Sequence, residues 1–182
     1  GTATIANADD VIENNGKMYL KGKTYKKNVT NNKEMYVDGE STFEALLTNN
    51  KNAEITFNKA ATCKDTFTNF GKATMKANVT VSSENKAINK QDAKIKVEKG
   101  VKFIGDDNTV YSIENYGLIK NNGETHNVFN AGNIETGADS YTNYYHYNLD
   151  LTSDPNKESS ATALNNMTLE IYAEYFDGTY SA

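Results

Sequence analysis

The sequence predicts an all-β chain wound as a parallel β-solenoid of about seven coils, with a C-terminal hairpin capping its end. Three observations carry that expectation. Seven asparagines (Asn14, Asn31, Asn49, Asn69, Asn89, Asn115 and Asn130) recur at intervals of 17, 18, 20, 20, 26 and 15 residues, each about the length of one coil. The residue two before each anchor is apolar (Ile12, Val29, Leu47, Phe67, Ala87, Ile113, Val128), and so is the residue four after it (Met18, Met35, Ala53, Ala73, Ala93, Ile119, Ile134). Short stretches of strand-like alternation follow the anchors, as in Met18-Tyr19-Leu20, Met35-Tyr36-Val37, Ile55-Thr56-Phe57 and Ile95-Lys96-Val97.

Taken in chain order, each coil reads as strand, tight corner, strand. Glycine occupies the second position after the anchor at Gly16, Gly71, Gly117 and Gly132, where the expected reason is a turn needing positive φ. Equivalent corners of successive coils should stack about 4.8 Å apart, so the anchor amides can bond to one another in a ladder. A second corner shows in the early coils at Gly22 and Gly39, with Tyr25 and Phe43 expected to point inward behind it, and it blurs later. Residues 40–47 admit one helical turn, but strand is expected there. The long interval between Asn89 and Asn115 is expected to be one coil with an outward loop at Gly105-Asp106-Asp107-Asn108. Residues 1–140 thus form the predicted solenoid domain. Residues 141–182 change character: tyrosines crowd together, and two alternating runs, Tyr147-Asn148-Leu149-Asp150-Leu151 and Met167-Thr168-Leu169-Glu170-Ile171, flank a polar loop. They are expected to cap the solenoid, whose last coil would otherwise expose core and strand edges, or to begin a further domain.

Composition narrows the function classes. Asparagine occurs 26 times and threonine 20 times, and all 19 basic residues are lysine. With a net charge of −5 there is no basic stripe for a phosphate backbone, so nucleic acid is not the expected partner. No apolar run approaches the length of a membrane span. Residues 1–4 lack the basic start and apolar stretch of a signal peptide, and the expectation is a processed or trimmed chain. The single Cys63 excludes an internal disulfide and is expected to be a small core residue.

The runs Ile113-Glu114-Asn115-Tyr116-Gly117-Leu118-Ile119, Val128-Phe129-Asn130-Ala131-Gly132-Asn133-Ile134 and Phe67-Thr68-Asn69-Phe70-Gly71 resemble the repeats of adhesin-like and pectin-lyase-like right-handed parallel β-helix proteins of microbial cell surfaces. The resemblance covers roughly residues 10–137. It implies a right-handed solenoid and a secreted or cell-surface location. It does not choose an activity, because such proteins include polysaccharide lyases, hydrolases and passive stalks. No catalytic motif of those enzymes maps onto this sequence.

Candidate chemistry is sparse. Asp106, Asp107 and Asn108 offer the oxygen donors a hard cation such as calcium prefers, and the same residues also make an ordinary solvated turn. Tyr141, Tyr144, Tyr145 and Tyr147 are candidate ligand contacts, because aromatic faces bind sugar rings and protein surfaces; they also serve to cover the end of a core. His126 and His146 have no nucleophile at an interpretable spacing. Asp150 and Asp154 flank a loop before Pro155, and Asn-X-Thr triplets begin at Asn28, Asn78 and Asn166. The expected function is a secreted or cell-surface structural or adhesive module, not an enzyme, with a glycan or surface protein as partner and no cofactor. A polysaccharide lyase or glycoside hydrolase of β-helix type is the first alternative. A pilin-like subunit polymerising by strand donation is the second.

Overall fold

The computed structural model describes residues 2–5, 10–107, 111–138 and 140–146, with backbone alone for 2–5 and 143–146. The chain is a parallel β-solenoid of about seven coils with three faces. The first face is an eight-stranded parallel sheet running from Thr2–Ile5 through Lys17–Lys21, Glu34–Gly39, Glu54–Phe57, Lys72–Met75, Lys94–Val97 and Leu118–Asn121 to Asn133–Thr136. The second face stacks Thr24–Tyr25, Ser41–Phe43, Ala61–Cys63, Val79–Val81 and Lys102–Gly105. The third stacks Ile12–Asn14, Val29–Asn31, Leu47–Asn49, Phe67–Asn69, Ala87–Asn89 and Ile113–Asn115. Glu124–Asn130 belongs to both, bending at Asn127, whose φ is 52°. No helix forms at residues 40–47, which supply the strand Ser41–Phe43 and the start of Leu47–Asn49.

The seven anchors hold the stack together. Every one closes a strand of the third face, and each pairs in register with the next: Asn14 with Asn31, Asn31 with Asn49, Asn49 with Asn69, Asn69 with Asn89, Asn89 with Asn115, and Asn115 with Asn130. Nδ2 of each donates to Oδ1 of the next in six bonds of 2.7–2.9 Å, all pointing toward the C-terminal coils. The same Nδ2 donates to a first-face carbonyl of the following coil, those of Glu34, Glu54, Lys72, Lys94, Leu118 and Asn133 in turn. Oδ1 also accepts from the turn amide two residues on, as at Gly16, Lys33 and Gly132. A shorter outer ladder lies beside it with the opposite sense: Asn32 donates to Asn15 and Asn50 donates to Asn32.

Apolar side chains fill the prism. Along one column of the second face the register runs Tyr25, Phe43, Cys63, Val81, Gly105. The column starts with the two stacked rings of Tyr25 and Phe43, which lie 5.2 Å apart, and continues with smaller side chains. Phe57 and Phe67, both fully buried, meet edge to face at 5.8 Å. Because the inward residue is no longer aromatic after Phe43, the second corner fades in the sequence although its face continues through the later coils. Toward the last coils the interior turns polar: Nδ2 of Asn121 donates to Oγ1 of Thr125 and of Thr142 and to the carbonyl of Tyr141. Tyr141–His146 pairs parallel with Glu124–Asn130, so coil stacking extends past residue 140. The expected hairpin strands beginning at Tyr147 and Met167 lie outside the described residues.

Two expectations about the corner need correction. The glycines at the second position are not there for positive φ, which among glycines occurs only at Gly22 and Gly100 within the described residues. Gly71 and Gly117 are needed for space, since a Cβ would strike the carbonyl oxygens of Ala53 and Asn50 at the first and of Ala93 and Lys90 at the second. The slot four after the anchor is also not uniform. The first-face register is Met35, Ile55, Ala73, Ile95, Ile119, so Ala53 and Ala93 end longer turns and do not begin strands. In those turns, residues 50–53 and 90–93, the first carbonyl accepts from the fourth amide at 3.0 Å, and Asn52 and Asp92 take φ of 67° and 66°. A positive φ at the third of four residues marks a type II turn, and asparagine and aspartate bear the left-handed region better than most side chains.

Asn69→Ala removes an acceptor from Asn49 and a donor from Asn89 in a buried row. Unfolding in urea should show a loss of about 1–3 kcal/mol, against no measurable loss for Lys76→Ala on the exposed surface; equal stability of the two variants would contradict the ladder's role. Gly71→Ala should cost about 1–3 kcal/mol by overpacking against the turn above it. Thermal melting with a midpoint at the wild-type value would show that the turn yields freely.

Candidate functional site

The acidic loop follows the strand Lys102–Gly105. The Asp106 carboxylate accepts a 2.7 Å hydrogen bond from the Ser83 backbone amide, tying the loop to the coil before it. Gly105 permits this path, because a Cβ there would meet the Ser112 hydroxyl. Asp107 is described and Asn108 lies outside the described residues. Among the described residues no group of three or more histidine, cysteine, aspartate or glutamate side chains is placed to hold a metal ion.

Of the tyrosine cluster, Tyr141 is half exposed, its ring 5.1 Å from that of His126. The backbones of Tyr144 and Tyr145 pair with Val128 and Phe129, and Tyr147 lies outside the described residues. His126 Nε2 bonds Glu124 Oε1. Glu124 also meets Lys102 at 2.9 Å, and the hydrogen bond from Lys102, with help from His126, holds its carboxyl below the ordinary carboxylate range. Cys63 is fully buried, and desolvation pushes its thiol up to about 12. A protonated thiol in the core is not a nucleophile at neutral pH.

Surface relief is also present at the corner after the anchor asparagines. The long turns at residues 50–53 and 90–93 project past the short ones that begin at Phe70, Tyr116 and Ala131. Two depressions result. One, of about 520 Å³, lies between the long turns with Phe70 in its lining beside Lys51, Asn52, Lys72 and Asp92. The other, of about 420 Å³, lies beyond the second long turn and is lined by Tyr116, Gln91, Asp92, Lys94 and Asn133, among others. Gln91 and Asp92 form the shared wall. Phe70 and Tyr116 are 41% and 40% exposed, each in the lining of its own depression. Next to Tyr116, an aromatic group forms with Phe129 and Tyr111, whose ring carries the Lys86 ammonium 3.7 Å from its centroid. The Tyr116 hydroxyl donates to Glu114 at 3.2 Å. Burial and then the Glu114 charge raise its pKa, so the phenol stays neutral and able to donate.

Sequence offsets alone do not reveal this corner, because Ala53 and Ala93 are apolar at the position where other coils begin a first-face strand. The signal is present in the two four-residue turns, Asn50-Lys51-Asn52-Ala53 and Lys90-Gln91-Asp92-Ala93, each followed in the next coil by an aromatic residue and glycine.

No family model, curated protein or solved structure matches the chain.

Cys63 should resist a maleimide probe in the native state at pH 8 and react at once in denaturant. Labelling of the folded chain at the rate of a free thiol would place it at the surface. Because its folded pKa lies above its unfolded value, its contribution is complete below about pH 9 and is lost as pH rises toward about 12.

Proposed function

We propose that the chain is a structural and adhesive module of the cell surface or of a secreted protein: a stiff rod that presents ligand-contacting corners. The observation that carries the reading is the division of labour between strands and turns. The strands hold a continuous ladder and core, and their outer side chains are largely lysine, glutamate and threonine joined in cross-coil pairs such as Lys21–Asp38, Lys64–Glu44, Lys102–Glu124 and Lys120–Glu135. The two recesses, and the exposed rings of Phe70 and Tyr116 that line them, belong to the turns. Exposed ion pairs of this kind contribute little to stability, but they make flat, well-solvated faces.

The groups an enzyme would recruit have structural duties instead. Asp106 ties down a loop, His126 is bound by Glu124, and Cys63 is a core residue. That supports display over catalysis, since acid–base work needs groups held ready for a substrate.

Intact cells that make the protein should label with antibody against the folded chain and lose that label on brief protease treatment. Beads coated with the chain should adhere to surfaces bearing its ligand. Incubation with acidic and neutral polysaccharides should release no reducing ends and no unsaturated products. Labelling only after lysis would overturn the location, and product release by purified protein would replace display with catalysis.

A further inference from the structure

The corner built by residues 50–53, 70–71, 90–93 and 116–117 has a repeat of its own. Long and short turns alternate, so the two exposed rings, Phe70 and Tyr116, stand two rungs apart, about 10 Å at the spacing of paired strands. Each lies in its own depression, on either side of the wall made by Gln91 and Asp92. Each depression also holds one lysine, Lys51 or Lys94, with no ion pair among the described residues. Lys72 is already engaged by Glu54 at 2.7 Å. The side chains of Gln91 and Asp92 likewise have no hydrogen bond among the described residues. A surface that leaves aromatic faces bare and planar polar groups uncommitted has the parts a sugar requires. Rings cover the apolar C–H face of a pyranose, and amides and carboxylates bond pairs of vicinal hydroxyls.

We propose that this corner binds a linear glycan bearing one carboxylate per disaccharide. Phe70 and Tyr116 would each stack on one sugar, Asp92 and Gln91 would bond hydroxyls of the sugar between them, and Lys51 and Lys94 would meet the carboxylates. Two rungs match the reach of one extended disaccharide, so equivalent sugars meet equivalent rings. The charge follows from the lining: with Lys72 paired, two free lysines face one aspartate, on a chain whose net charge is −5. A neutral glycan would use the rings but leave the lysines idle. A peptide would use the lysines but not the evenly spaced rings. This inference rests on the reading of the chain as an adhesive module and names what one of its corners adheres to.

The full chain is titrated calorimetrically with three probes of similar length: a hyaluronan octasaccharide, a neutral chitin oligosaccharide and a poly-glutamate peptide. Hyaluronan should bind best and weaken as salt rises. Phe70→Ala and Tyr116→Ala should each weaken it about tenfold. The double variant Lys51→Gln/Lys94→Gln should reduce it to the level of the neutral chain. Unchanged melting midpoints will show that these exposed substitutions leave the fold intact, and Tyr19→Ala on the first face should leave affinity unchanged. The proposal is overturned by a wild-type chain that does not bind hyaluronan, by unchanged affinity in both aromatic variants, by equal affinity for the neutral oligosaccharide, or by equal binding of poly-glutamate. Any of these can occur while antibody labelling still places the chain on the cell surface, so failure of this site is distinguishable from failure of the adhesive reading.

Discussion

The row of buried amides from Asn14 to Asn130 is the constraint on which the rest of the structure depends. Seven polar side chains sit in an apolar interior, where an unpaired amide costs more than a typical hydrogen bond returns. They are tolerated because each rung satisfies the one before it and also bonds the backbone of the next strand. The arrangement works only if every coil brings its corner to the same place. That requirement fixes the strand register on the third face and the start of the first. It also explains why the ladder survives coils of very different length: the 26 residues between Asn89 and Asn115 return to the same 2.7 Å contact as the 15 between Asn115 and Asn130.

With the corner asparagine and the inward residues fixed, variation is pushed into the turns. Extra residues leave the path just after the anchor, as in residues 50–53 and 90–93. Each long turn overlies the next coil closely enough that only glycine fits beneath it, at Gly71 and Gly117. The aromatic residue preceding that glycine is left standing in the open. The exposed rings and the tight glycines are thus two sides of one steric fact: a four-residue turn stacked over a two-residue turn makes a ledge, and a ledge makes a recess.

Much of this was legible in the sequence because the ladder imposes a strict local pattern. The anchors, the apolar residues two before them and the inward Tyr25 and Phe43 all follow from asparagine spacing and alternation. What was not legible depends on contacts between coils. Ala53 and Ala93 looked like strand residues because they are apolar at the expected offset, yet a turn hydrogen bond and a left-handed residue shift the true strand positions to Ile55 and Ile95. The glycines looked like turn formers, but their reason is a carbonyl in the coil before. The second face faded from view because its inward residue changes type from rung to rung, from Phe43 to Cys63 to Val81. Phe70 and Tyr116 drew no notice as site residues, since an isolated aromatic in a sequence does not reveal what lies above and below it.

The one-way sense of the inner ladder bears on how such a chain changes in length. Every interior asparagine receives from the coil before and gives to the coil after, so no coil is special except the two at the ends. At the N-terminal end the Asn14 acceptor is met by its own turn amide, whereas Asn130 Nδ2, at the other end, has no partner among the described residues. A coil can therefore be duplicated or deleted between any two rungs with every amide still matched, and recombination within the repeats would yield rods of graded length without a new folding problem.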